Sequence, residues 1–442
     1  MKHEEITQYL LEELKRKGAD DVVLQLNNGE TKLIKFVNNK ISTTKSWEST
    51  NLGIFVTKDQ KILTSSLRTF DKETAKKCAE HIMKSLTKMQ ANKDYQGITQ
   101  GPCKYRKEKD CYDTKIEDLN EEMVDMVRQA IDTAKKKTKR SSGTLEKTFG
   151  ESYLLTSNNV EAKEKATGLY FAIRTLIDQE SSGYGSCVSR VKNKFKILEA
   201  TEHAAHIAQL SKGPKSAISG SFDVIFAPHA CAAIIDRFAD SASIFSVESG
   251  LSCLKNQLGK TLANSQVTIL DDPTQTNGYG SSSFDAEGTP TQKIAILEKG
   301  IFKNYLHNTS TAKRYKTKST GNAGLISPHA FSPYLKEGDY SKEELFKEVK
   351  KGIYITNVWY TRFQNHETGD FSTIPRDGSF LIENGKIKSP LKDIRVSENM
   401  LNVIKNISAL GKETTQIKSW EVNTPTTVPY TLVKNVNITK PN

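Results

Sequence analysis

Side chains able to do chemistry are concentrated in the segment 228–241, which follows an apolar, strand-like run at 222–227. Pro228 suits the first turn of a helix, because its missing N–H would lack a partner there anyway. On such a helix His229, Asp236 and Asp240 stand at positions i, i+7 and i+11 and share one face. An imidazole and two carboxylates are metal ligands, so a metal site is one interpretation. The alternative is that His229 caps the helix start and the carboxylates lie on a solvated or partner-facing side.

Two further patterns are weaker indications of a site. His203 and His206 stand at i and i+3 in a helix predicted at 195–211, a spacing that would let them share a metal. No third ligand is near them in sequence, which favours two histidines on a helix surface. The serine-rich run 280–284 lacks the last glycine of the Gly-x-Ser-x-Gly motif of serine hydrolases, so it does not indicate a nucleophile elbow.

Small and polar residues at 281–288 and 319–324 lie on either side of a predicted β-hairpin. The hairpin consists of the apolar runs 292–297 and 301–306, joined by the turn Glu298-Lys299-Gly300. With the loop 369–372 and the strand and helix at 222–241, these segments in this order resemble the TldD/PmbA family, the "modulator of DNA gyrase" proteins. The resemblance covers nearly the whole chain and is strongest from 222 to 411.

The resemblance implies a choice between two kinds of subunit. The family pairs a zinc peptidase, TldD, whose helix carries His-Glu-x-x-x-His, with a homologous partner, PmbA or TldE, that has no metal site. Laid on 228–241, the motif puts Asp236 at the first His, Arg237 at the Glu and Ser241 at the second His. A guanidinium accepts no proton and repels a divalent ion, and serine is a poor zinc ligand. The family's third ligand is a Cys near the C-terminus, but no Cys follows Cys253.

We therefore expect a non-catalytic, cofactor-free and metal-free subunit of a TldD/TldE-type zinc peptidase. The resemblance implies a heterodimer with a TldD-like subunit that encloses a chamber for extended or unfolded peptides, and a homodimer is an option for the isolated chain. The candidates for lining the peptide cavity are Ser283, Phe284, Asp285, Glu287, Gly288, Thr320, Gly321 and Asn322. The alternatives are an active metal-dependent peptidase with a relocated site, or a regulator that binds nucleic acid or a topoisomerase.

Length and pattern predict an α+β protein of two domains. The 442 residues suit domains at 1–212 and 213–442, divided at the Gly- and Pro-containing stretch 211–216. The first is predicted to be a mixed α/β domain with an antiparallel meander, and the second a β-rich domain with a curved or barrel-like sheet. An amphipathic helix is expected at 4–18. Asn27-Asn28-Gly29 is expected to be a turn between strands at 21–26 and 31–37.

Charge and hydropathy exclude several classes of protein. The net charge is +12, with basic runs at 104–109 and 135–140, but acidic residues are interleaved and no nucleic-acid recognition motif is present. This argues against a nucleic-acid partner and favours a solvated basic surface. No apolar run is long enough to span a membrane, and the charged residues 1–5 begin a helix rather than a signal peptide, so we expect a cytoplasmic protein. Six cysteines without a C-x-x-C pair are expected to be free thiols.

Overall fold

The N-terminal lobe is a six-stranded antiparallel sheet with helices packed on one face. The computed structural model describes residues 3–106 and 111–440, so residues 107–109 of the first basic run lie outside it. The strands are β1 (Val22–Val37), β2 (Lys40–Lys58), β3 (Lys61–Leu67), β4 (Arg140–Thr156), β5 (Glu161–Leu176) and β6 (Ser182–Ser189), in the order β3-β2-β1-β4-β5-β6. The helices are α1 (His3–Arg16), α2 (Lys72–Leu86), α3 (Thr114–Glu117), α4 (Glu122–Lys135) and α5 (Ile197–Leu210).

The alternation of side chains along β1 explains why this sheet has helices on one face. Val22 and Leu24 lie on the face of the sheet that packs against α1 and α2. Ile34 and Phe36, farther along β1, pack against α4 and α5 on the same face. Val23 points to the opposite face and packs with Phe284 of the C-terminal lobe. One face of the sheet therefore holds the helices, and the other contributes to the contact between the lobes.

The predicted turn at Asn27-Asn28-Gly29 is wrong, because β1 continues through it. These residues pair with Asn51, Thr50 and Ser49 of β2 on one side and with β4 on the other. A strand with a hydrogen-bonded neighbour on both sides cannot leave the sheet, whatever its local turn preference. A Cβ on Gly29 would lie 2.7 Å from the carbonyl oxygen of Phe149, so the glycine serves close strand approach instead.

The C-terminal lobe is built on a large, curved, mixed sheet. Its strands are β7 (Lys215–Ser216), β8 (Gly220–Phe226), β9 (Ile269–Asp271), β10 (Ile294–Glu298), β11 (Ile301–Phe302), β12 (Pro333–Leu335), β13 (Lys351–Asn365), β14 (Asp370–Glu383), β15 (Lys386–Lys392), β16 (Arg395–Asn399), β17 (Ile407–Ile417) and β18 (Thr426–Thr439). Its helices are α6 (Pro228–Ser241), α7 (Ile244–Glu248), α8 (Thr309–Arg314), α9 (Lys342–Lys347) and α10 (Met400–Lys405).

Five of these strands close into a ring around which the rest of the lobe is arranged. The main path is β11-β10-β9-β12-β18-β8-β13-β14-β15-β7, and β16 pairs with both β14 and β18, so β18, β8, β13, β14 and β16 form a circuit. The pairs β8–β13, β12–β18 and β15–β7 are parallel, and the other strand pairs are antiparallel. The α+β class with a curved, partly closed C-terminal sheet is confirmed.

Local turn chemistry accounts for the elements that sequence predicts best. The hairpin β10–β11 turns at Lys299 and Gly300, with φ of 48° and 78°, the left-handed pair that a two-residue hairpin requires. The strands of the two sheets occupy separate parts of the sequence. All strands of the first sheet end before residue 190, and those of the second begin after 214. The boundary at 212–213 falls between them and stays a prediction.

None of the helices among the described residues is long and apolar enough to cross a membrane.

Candidate functional site

Helix α6 lies against the ring of strands and presents a row of polar side chains near its C-terminal end. The helix begins directly after β8, at Pro228, and its small residues Ala230 and Ala233 are fully buried where it packs against β13 and β18. Small side chains allow a helix to approach a sheet closely, which fixes its position. The polar residues of its last turns, Asp236, Arg237 and Ser241, are therefore held on a rigid element.

Asp236 is a buried carboxyl that is only half satisfied. Its side chain is completely inaccessible to solvent. One oxygen, Oδ2, accepts from the backbone N–H of Asn423 at 3.2 Å, and Oδ1 has no partner among the described residues. Burial, reinforced by the nearby Asp240 carboxylate, raises the pKa of Asp236 to about 7, while Arg237 opposes the change. Asp236 therefore does not lie on a solvated face, contrary to the interpretation that placed it there.

Arg237 lines an open pocket at the end of α6. The pocket has a volume of about 270 Å³ and is lined, among others, by Arg237, Asp240, Phe245, His329, Phe363 and His366; we call it the Arg237 pocket. The guanidinium Nη1 lies 3.9 Å from Asp240 Oδ2, beyond hydrogen-bonding distance, and Nε is buried without a partner in the described structure. The guanidinium therefore has a long ion pair with Asp240 and no hydrogen bond to the described residues, so its exposed N–H groups can bind an acceptor in the pocket.

The donor set at this helix does not fit a zinc ion. Ser241 is buried, and its hydroxyl donates to the carbonyl oxygen of Arg237 at 2.9 Å, so its proton is committed within the helix. Arg237 offers only N–H donors to anything that enters the pocket. A water-activating zinc site requires about three anionic or neutral N, O or S ligands and an open position. Asp236, Arg237 and Ser241 do not supply them.

The helix geometry argues against the interpretation in which His229, Asp236 and Asp240 share a metal ion. A helix rises 1.5 Å per residue, which separates His229 from Asp236 by about 10 Å along the axis, too far for one ion. In residues 3–106 and 111–440, no three His, Cys, Asp or Glu side chains are grouped so as to hold a metal. His229 does not cap the helix either: its Nε2 lies 2.9 Å from Ser186 Oγ, and burial lowers its pKa to about 3.

The two histidines of α5, His203 and His206, differ in their exposure to solvent. His206 is exposed, as predicted, whereas His203 is half-buried beside a second cavity between the lobes. Burial lowers the pKa of His203 to about 4, so its imidazole is neutral at pH 7. Among the residues that the structure describes, no third side chain joins them in a group that could hold a metal.

The eight predicted cavity-lining residues lie in the interior rather than on an open surface. The Asp285 carboxylate accepts from the backbone N–H groups of Glu287, Thr289 and Ala323, each at 2.9 Å. Burial and the neighbouring Asp285 raise the pKa of Glu287, whose Oε2 accepts from Thr309 N at 3.2 Å. Ser283, Phe284, Gly288, Thr320, Gly321 and Asn322 are also buried. A peptide would reach them only if the loops moved, so their role as cavity lining stays a prediction.

The interactions of the second loop are mostly internal to the C-terminal lobe. Asn322 Nδ2 donates to Asp271 Oδ2 at 2.5 Å, and the Thr320 hydroxyl donates to the carbonyl oxygen of His307 at 3.0 Å. Gly321 has φ of +68°, and a Cβ there would lie 2.7 Å from the carbonyl oxygen of Pro290. Glycine is needed here for the backbone conformation and the close approach of the two loops.

Arginine and glutamate side chains of the N-terminal lobe hold the first loop in place. Arg190 donates from Nε to the carbonyl oxygen of Gly278 at 2.9 Å, and from Nη2 to those of Tyr279 at 2.6 Å and Ser281 at 3.1 Å. Arg106 donates to the carbonyl oxygen of Thr291 at 3.0 Å. Glu164 accepts from both the N–H and the hydroxyl of Ser283, at 2.9 and 2.6 Å. These contacts could not be predicted from the sequence, because the partners are far apart along the chain.

Comparison with known proteins agrees with the fold. Residues 219–440 match the model of the PmbA/TldA metallopeptidase C-terminal domain, and residues 22–86 match that of the PmbA/TldA metallopeptidase domain 1. A protein of Methanocaldococcus jannaschii named a metalloprotease is 30% identical over 328 residues, 68% of each chain. A protein named metalloprotease PmbA homolog, from Haemophilus influenzae, is 29% identical over 238 residues, 53% of this chain and 51% of its own.

Two solved structures share the fold across almost the whole chain. TldE from Thermococcus kodakarensis has a TM-score of 0.88 at 19% identity, covering 98% of this chain and 99% of its own. A protein from Thermotoga maritima, named for modulation of a DNA gyrase, has a TM-score of 0.88 at 24% identity, covering 99% and 100%. With the matched domain models and the metalloprotease relatives, these findings show that the chain belongs to the TldD/PmbA family.

Proposed function

We propose that this chain is the zinc-free, non-catalytic subunit of a two-component peptidase and pairs with a zinc-bearing homologue of the TldD type. The observation that carries the proposal is the guanidinium of Arg237 in the pocket at the end of α6. It stands where the resemblance places the general base of a zinc peptidase, and a guanidinium neither accepts a proton nor tolerates a divalent cation beside it. Ser241 and Asp236 complete a set that does not suit zinc.

The pairing itself is supported by the chain's relatives. Proteins named metalloprotease, TldD homolog and PmbA homolog are all similar to it in sequence, and a protein named TldE shares its fold. Within the proposal, this subunit supplies part of the chamber wall for an extended peptide, and the zinc-bearing subunit supplies the hydrolytic chemistry. A cytoplasmic location belongs to the same proposal.

The test is reconstitution with a TldD-type homologue that carries the His-Glu-x-x-x-His motif. Each chain is purified alone and mixed with the other, and cleavage of a fluorogenic unfolded protein is followed together with zinc content and molar mass. We expect no cleavage and no stoichiometric zinc for this chain alone, and cleavage with a complex of both chains for the mixture. A mixture in which the motif glutamate of the homologue is replaced by glutamine is the matched control and should be inactive. One tightly bound zinc per isolated chain, or cleavage by it alone, would overturn the proposal.

A further inference from the structure

The guanidinium of Arg237 lacks an acceptor that its surroundings ought to supply. Its side chain is 21% exposed, its Nε is buried without a partner in the described part of the chain, and the nearest carboxylate oxygen, Asp240 Oδ2, is 3.9 Å from Nη1. Two other arginines, Arg106 and Arg190, donate to several carbonyl oxygens each. A guanidinium that lines a pocket without a close acceptor can form a charge-assisted hydrogen bond there, so it favours the binding of an anion.

The shape of the pocket adds an apolar requirement to the anionic one. Phe245 and Leu251 line it and are 44% and 51% exposed, so together they offer apolar surface to a ligand. Phe363 of β13 lines it as well. The volume of about 270 Å³ lies below the range of about 300–1,000 Å³ for drug-sized ligands. The pocket therefore suits one residue with an apolar side chain and an adjacent negative group.

We propose that the Arg237 pocket binds the C-terminal residue of a peptide, with its carboxylate on the Arg237 guanidinium and its apolar side chain against Phe245, Leu251 and Phe363. A planar guanidinium forms paired, charge-assisted hydrogen bonds with a carboxylate. The assignment deepens the proposed function and rests on it for the ligand being a peptide. It gives the degenerate helix a binding role in place of a hydrolytic one.

Asp240 sets a second, opposite expectation for the same pocket. Its carboxylate lines the pocket beside Arg237 and is 45% exposed, so it repels an incoming carboxylate without neutralising Arg237 through a hydrogen bond. Replacing Asp240 with asparagine removes this repulsion at nearly constant shape. A carboxylate ligand should then bind more tightly, which a purely structural role of Arg237 does not predict.

The experiment measures binding of fluorescein-labelled Gly-Gly-Gly-Leu peptides to the full-length isolated chain by fluorescence anisotropy. The probes are the free acid, the C-terminal amide and an amide with an internal glutamate. We expect the acid to bind at least about tenfold more tightly than either amide, which is the loss of about one charge-assisted hydrogen bond. Arg237→Met should abolish this preference, Arg237→Lys should retain part of it, and Asp240→Asn should strengthen binding of the acid severalfold.

The matched control is Arg128→Met, which removes an equal charge from the exposed surface of α4 and should leave all three affinities unchanged. Equal affinity for acid and amide in the unaltered chain would overturn the proposal, as would an unchanged preference in folded Arg237→Met protein. Binding of the glutamate amide as tight as that of the acid would overturn the assignment to a peptide terminus. No partner or zinc enters the measurement, so its failure and the failure of reconstitution with the homologue are distinguishable.

Discussion

Replacing Arg190 with methionine should destabilise the protein by roughly 2–4 kcal/mol, because the loop 278–281 loses its anchor to the N-terminal lobe. Arg190 makes three hydrogen bonds to carbonyl oxygens, at 2.6 to 3.1 Å, and its Cζ lies 5.6 Å from the centre of the Tyr279 ring. Hydrogen bonds to a charged group contribute about 1.5–3 kcal/mol each. Arg190 is half-buried, and water replaces part of what is lost, so the predicted loss is placed below the simple sum of the three hydrogen bonds.

Arg237→Met is the comparison that isolates the hydrogen bonds from the loss of charge. Arg237 is also largely buried but makes no hydrogen bond through its guanidinium to the described residues, so its replacement should lower the free energy of unfolding by at most about 1 kcal/mol, through the lost attraction to the Asp236 and Asp240 carboxylates. Urea unfolding at pH 7.5, followed by circular dichroism and tryptophan fluorescence, measures both variants. Equal destabilisation of the two would refute the reasoning, because the number of bonded acceptors would then not decide the outcome.

Two further predictions concern burial and packing. Asp236→Asn should become progressively more stable than the unaltered protein as pH rises from 5 to 8, by about 2–3 kcal/mol over that interval. Folding raises the pKa of Asp236 to about 7, so ionisation of this carboxyl lowers the stability of the unaltered protein progressively between about pH 4 and about pH 7. Urea unfolding at pH 5 and pH 8 measures the difference between the two proteins. A difference that does not change with pH, or the same trend in the exposed control Asp132→Asn, would contradict the prediction. Gly183→Ala should cost about 1–3 kcal/mol, because its Cβ would lie 2.0 Å from the carbonyl oxygen of Ala204 in α5. Gly150→Ala, whose Cβ would approach only to 3.8 Å, should melt close to the unaltered protein, and equal thermal shifts for both glycines would count against the packing argument.

The elements predicted correctly are those whose signals are local. Pro228 marks the start of α6, and Lys299 with Gly300 marks the hairpin, because helix starts and tight turns depend on neighbouring residues. The turn predicted at 27–29 failed because pairing with strands distant in sequence overrides a local preference. Strand pairing between distant segments cannot be predicted from the periodicity of hydrophobic residues in either segment.

The candidate site also has a part that the sequence predicts and a part that depends on contacts between distant segments. The chemical mismatch at Asp236, Arg237 and Ser241 can be read from residue types, since it depends only on what each group can donate or accept. The pocket cannot, because His329 and Phe363 reach it from segments whose sequences carry no sign of that meeting. The loop at 281–288 has the small, polar composition of a binding loop, yet burial against the N-terminal lobe gives the same residues a structural use.

The way Arg106, Arg190 and Glu164 reach across to the first loop bears on how the polypeptide can be divided. If the chain were cleaved at the 212–213 peptide bond, the guanidinium groups of Arg106 and Arg190 would be on one fragment. The carbonyl oxygens that accept their hydrogen bonds would be on the other. Neither fragment would hold the 278–291 segment in its native path. The native structure would then form only when the two fragments associate, and the fraction of associated fragments would increase with their concentration.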